Sequence, residues 1–180
     1  MKWINKKIFA LLMGTLFVFP IYANEPDAMD RQGQFMAVYL FHFANFIEWP
    51  DSAFNDIDSF NICINGKTEI NKYIHDIEGE EVKGRKIIIL NNISSDSLKD
   101  CQILFISHND YERNKIEKYS IKKYTLLVSD KESFISDGGV IQYYIVNNKL
   151  RLKINLEVAK RFGLKISSKL LRIAKVVREK

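Results

Sequence analysis

Gly66-Lys67-Thr68 follows the short apolar run Phe60–Ile64 and has the residue types that close a phosphate-binding loop. That chemistry needs another glycine five residues before Gly66, so that consecutive main-chain amides can wrap a phosphate. Asn61 stands there instead, which sets nucleotide binding aside. Ser120 and Lys123 have the S-x-x-K spacing of a serine acyl-enzyme, but no K-T-G segment supports them, and a lysine-rich chain produces that spacing by chance. His42, His75 and His108 are far apart and share no ligand spacing with one another or with a cysteine, so nothing points to a metal centre. Asp137-Gly138-Gly139 could turn amides towards an anion, although such a pair more often lets the chain reverse. No convergent set of titratable groups emerges. The chain is expected not to be an enzyme and to carry no metal or cofactor.

The two cysteines, Cys63 and Cys101, acquire a meaning from the N-terminus. Lys2, Lys6 and Lys7 precede the apolar run Ile8–Phe19, Pro20 ends that run, and Ile21-Tyr22-Ala23 supplies a small residue for cleavage. This is the pattern of an export signal cut after Ala23, with an apolar run too short to span a bilayer. In an oxidising compartment an even cysteine count reads as a disulfide, Cys63 to Cys101, the alternative being two buried free thiols. Cleavage removes three lysines and no acid, so Lys+Arg falls from 27 to 24 against 22 Asp+Glu and the net charge from +5 to +2. The basic character belongs largely to the signal, and a nucleic-acid partner is excluded.

The remaining chain has the length of a single domain. Residues 24–34 read as a loose polar leader and residues 35–177 as the folded unit. Phe35–Trp49 has helical character and ends at Pro50, which cannot continue a helix. Four continuous apolar runs, Phe60–Ile64, Lys86–Leu90, Gln102–Ile106 and Thr125–Val128, read as strands buried on both faces. Polar stretches between them, Glu69–Ile77 and Tyr111–Tyr119, read as helices, and this alternation predicts a largely parallel sheet.

Asn147-Asn148 suits a two-residue turn between Val140 and Ile154. Fixing that turn sets Ile145 opposite Leu150, Tyr143 opposite Leu152 and Ile141 opposite Ile154. The other face then holds Tyr144 with Arg151 and Gln142 with Lys153. Every pair is wholly apolar or wholly polar, which predicts an antiparallel hairpin with one wet face. A final helix is expected from Ser167 or Ser168, with Ile166, Leu170, Ile173, Ala174 and Val177 inward and Lys169, Arg172 and Lys175 outward. The expected class is therefore α/β: a single domain with a mixed, largely parallel sheet, flanking helices and an antiparallel hairpin near the C-terminus.

The first helix carries the one functional signal. Phe35, Met36, Tyr39, Leu40, Phe43, Ala44, Phe46 and Ile47 cover one broad arc. Val38, Phe41 and Trp49 fall among Gln34, Asn45 and Glu48 on the other. Large apolar groups scattered on an outer face indicate that another surface covers it, either a partner or the domain's own leader.

With those pieces in place the chain resembles the YfiR family of exported proteins. The resemblance is carried by Ala37–Phe43 leading to Glu48-Trp49-Pro50, by Ile62–Gly66, by Gly84-Arg85 and by Cys101–Ser107. It continues through Leu126–Asp130, Phe134, Gly138-Gly139, Ile154-Asn155, Ala159, Gly163-Leu164 and Ile166–Ala174. What it implies is a periplasmic regulator, a homodimer, that holds the periplasmic sensor domain of a membrane-bound diguanylate cyclase inactive. An OmpA-like outer-membrane lipoprotein could sequester it, and the cyclic-di-GMP chemistry would belong to the cyclase. The alternative is a periplasmic small-molecule-binding protein, whose ligand would sit at the carboxyl ends of the parallel strands.

Overall fold

The computed structural model describes residues 28–54, 57–93, 100–113 and 123–178. The export signal and Ser120 lie outside them. Helix α1 spans Ala28–Phe46 and begins seven residues before the expected start at Phe35. The supposed loose leader is thus partly helix. What holds it is close packing at Gly33, where a β-carbon would come within 2.5 Å of the Glu69 Cβ. Beside that approach the Lys72 ammonium sits 2.8 Å from Asp30 and 2.6 Å from Glu69, and these carboxylates raise its pKa. The helix also ends three residues earlier than expected, because Ile47–Glu48 forms a short strand, β1.

An eight-stranded sheet makes the body of the domain. Its strands are β2 (Phe60–Asn65), β3 (Glu81–Val82), β4 (Arg85–Asn91), β5 (Ile103–Ile106), β6 (Leu126–Ser129), β7 (Ile141–Val146), β8 (Lys149–Asn155) and β10 (Ala174–Val177). They lie in the order β10-β8-β7-β6-β5-β2-β4-β3. The run from β4 through β2, β5 and β6 to β7 is parallel, and β7–β8 is antiparallel. The mixed, largely parallel α/β class is confirmed. Strands β2, β5 and β6 are buried along their whole length, as their continuous apolar sequences require. Strand β4 alternates instead and leaves Ile88 exposed.

The hairpin register is the one that the Asn-Asn turn dictates, from Ile141 opposite Ile154 to Val146 opposite Lys149. Asn147 and Asn148 both have positive φ, 49° and 56°. The wet face is only partial. Gln142, expected outside, is buried beside β6, while Ile145 near the turn is exposed. Inclusion in the sheet covers the base of the hairpin on both faces, and the tip stands clear of it.

One expected helix shrinks: Glu69–Ile77 is two single 3₁₀ turns, Glu69–Lys72 and Ile74–Ile77. Helix α2 runs from His108 to Arg113, and the rest of the helix expected up to Tyr119 lies outside the described residues. The C-terminal helix is a correction of kind. Ser167 does cap a helix, accepting from the Leu170 amide, but α4 lasts only from Ser168 to Leu171. The chain then forms β10, which pairs in parallel with β8 from Ala174–Leu152 to Val177–Asn155. Ile173, Val176 and Val177 are β-branched, poor helix formers and good strand formers, and β8 offered them an unpaired edge. Before α4, helix α3 (Leu156–Arg161) is capped by Asn155, whose side chain accepts from the Val158 amide, and β9 (Lys165–Ile166) pairs with β1. That pairing clips the end of α1 to the C-terminal segment, with Lys165 and Glu48 2.9 Å apart.

A disulfide joins Cys63, in the middle of β2, to Cys101 just before β5, with Cα atoms 5.9 Å apart. Both residues are buried, so the bond lies inside the sheet.

Candidate functional site

Helix α1 lies on the sheet through Met36, Ala37, Leu40, Phe43 and Ala44, all buried, as is Ile47 of β1 after it. Tyr143 of β7 anchors it. The Tyr143 ring stacks on Phe43 with centroids 6.0 Å apart, and its hydroxyl donates to the Met36 carbonyl at 2.9 Å. Burial pushes the Tyr143 phenol well above its ordinary pKa, which keeps the donor proton in place.

The opposite side of α1 shows a ladder at helical spacing. Phe35 is 54 % exposed and Val38 43 %, and half-buried Phe41 and His42 follow one turn on. The His42 ring is stacked on Phe46 at 5.6 Å, so its place in the ladder is a packing one. Of the residues proposed for this face, Val38 lies on it in the open. Phe41 lies on its edge and leans on the core.

Trp49 does not belong to it. It follows the helix, is buried, and meets Phe60 edge-on at 5.1 Å. Its indole N–H donates to the Tyr124 carbonyl at 2.8 Å. The chain leaves helical geometry at Ile47, which swings Trp49 into the core. Phe35 was missed in the other direction: eight residues assigned to one arc made that arc too broad, and the earlier helix start leaves Phe35 facing out. Its ring and Tyr39 form one wall of a cleft of about 600 Å3, with the hairpin tip from Asn147 to Arg151 as the other.

The remaining candidates are structural. Gly66 has φ +93°, and Thr68 caps the turn after it by accepting from the Ile70 amide. Asp137 accepts from the Tyr111 hydroxyl at 2.9 Å and the Ser133 hydroxyl at 2.7 Å, which closes the loop before Gly138-Gly139. His75 contacts Glu78 at 3.0 Å on the surface. Among the described residues no three His, Cys, Asp or Glu side chains are placed to hold a metal ion, and no helix is long and apolar enough to cross a membrane.

The family described as YfiR/HmsC-like matches residues 33–175, from the first turns of α1 into β10. The chain belongs to that family. Its members are regulatory rather than catalytic. Among curated proteins none matches the chain. The outer side of α1 lies within the matched region except for Met29 and Arg31.

Proposed function

We propose that this chain is a periplasmic repressor that contacts the periplasmic sensor domain of an inner-membrane diguanylate cyclase and holds the enzyme inactive. The observation that carries the contact is the exposed pair Phe35 and Val38 on α1, in a family of regulators. An exposed phenylalanine in a ladder of apolar residues costs solvation unless something covers it. Export and cleavage after Ala23, expected from the N-terminal sequence, would put the protein on the required side of the membrane and support this reading. The reading includes a homodimer and sequestration by an OmpA-like outer-membrane lipoprotein.

The test is binding of the purified protein to the periplasmic sensor domain of an inner-membrane diguanylate cyclase from the same cell. Desolvated interface anchors commonly contribute about 2 kcal/mol or more, so Phe35→Glu and Val38→Glu should each weaken binding at least about tenfold. Both positions are exposed, so melting temperatures should not change. Phe41 serves less well, since its packing against the core would confuse folding with binding. Wild-type affinity in both folded variants would remove this face from the interface, and a wild-type protein that does not bind would remove the partner.

A further inference from the structure

Strand β6 stops at Ser129, whereas β7 continues for four residues past Gln142, the residue that pairs with Ser129. The main chain of Tyr143–Val146 therefore has a strand on the β8 side only, and the sheet is notched beyond the end of β6. Successive strand residues point to opposite faces, so a notch is reached by side chains of both. A cleft of about 410 Å3 fills it. Met36, Tyr143, Gln142, Asp130 and Glu132 are among the residues that line it. Asp130 directly follows β6, at the carboxyl end of a parallel strand, where open α/β sheets bind ligands.

The chemistry of the lining is one-sided. Gln142 is 1 % exposed, and among the described residues no donor reaches its Oε1. Buried polar atoms are nearly always bonded, so an orphaned carboxamide oxygen on a residue that lines a cleft is an acceptor still open to a donor. Asp130 takes one hydrogen bond at Oδ1, from the His108 amide at 2.6 Å, and burial raises its pKa above the ordinary carboxyl value. Glu132 adds a second acid at the rim. The lining holds one cationic side chain, Lys153, whose Nζ is 4.9 Å above the Tyr144 ring. Two carboxyl groups, an unpaired amide oxygen and aromatic faces all favour a positively charged donor.

We propose that this cleft binds a small molecule that presents a cationic hydrogen-bond donor, an alkylammonium or a guanidinium, to Gln142, Asp130 and Glu132. The site is separate from the exposed ladder on α1, and it stands whether or not that ladder contacts a cyclase.

Calorimetric titration of the disulfide-bonded protein with agmatine and with cadaverine tests this, with butyramide as the neutral control. At least one cationic probe should bind saturably and butyramide should not. Asp130→Asn should weaken binding about tenfold, the loss expected when a charged partner becomes neutral. Gln142→Met should also abolish detectable binding, and it should raise the melting temperature of the unliganded protein, because it discards a buried oxygen that has no partner. Glu132→Gln changes an exposed residue and leaves folding intact, so its expected loss of affinity remains readable if Gln142→Met misfolds. Failure of both cationic probes to saturate at about 10 mM, far above any specific affinity, would overturn the proposal. So would equal binding of butyramide, or wild-type affinity in Asp130→Asn and Glu132→Gln together.

Discussion

Cys63→Ser should destabilise the mature protein by roughly 4 kcal/mol, the chain-entropy value for a loop closed by residues 38 apart. For a domain of this length that is a fall in melting temperature of roughly 10 °C. The residue lies in the middle of β2, between Leu90 of β4 and Leu104 of β5, so the bond staples the centre of the sheet rather than its rim. Cys101→Ser should cost a similar amount, and the double variant should cost no more than about 1 kcal/mol beyond either, because all three remove the same bond. Thermal melts of the four proteins, with thiol alkylation of the native wild type, check this. Additive costs, or two reactive thiols in the native protein, would show that the cysteines act separately.

Leu152→Asp should be the most damaging single change in the hairpin. Leu152 is buried opposite Tyr143 and beside Ala174, between the two strands that flank β8. Replacing it deletes a core side chain and buries a charge without a partner, together worth about 4 kcal/mol or more. Lys153→Asp, one residue on, should cost no more than about 1 kcal/mol, since what is lost is the half-buried contact between its ammonium and the Tyr144 ring. Urea unfolding of both variants separates the outcomes. Equal costs would mean that the two faces of β8 are assigned the wrong way round.

The hairpin was the most legible part of the sequence because its information is local. A two-residue turn that both asparagines can adopt fixes every pair above it, and the apolar and polar pairs then sort in one register only. The parallel strands were legible for a related reason: Ile62–Ile64, Ile103–Ile106 and Leu126–Val128 are too uniformly apolar to lie anywhere but inside. The C-terminus was not legible. Ile166, Leu170, Ile173, Ala174 and Val177 satisfy helical spacing, and only the free edge of β8, a tertiary fact, makes a strand of Ala174–Val177.

Trp49 failed for the same kind of reason. A helical wheel assumes that the helix continues, and the pairing of β1 with β9, distant in sequence, is what ends it. The cleft beside Gln142 had no sequence signature at all. It exists because β6 is shorter than β7, and its residues come from α1, from the segment after β6 and from the hairpin.

Repression of a cyclase is most directly tested inside the cell. Intracellular cyclic-di-GMP, measured by mass spectrometry in a strain lacking this gene, should rise above the parental level. Restoring the full-length gene should return it to that level, and restoring a copy without residues 1–23 should not, because a protein that is not exported cannot reach a periplasmic domain. An unchanged cyclic-di-GMP level in the deletion strain, or full rescue by the copy without its leader, would contradict a periplasmic repressor.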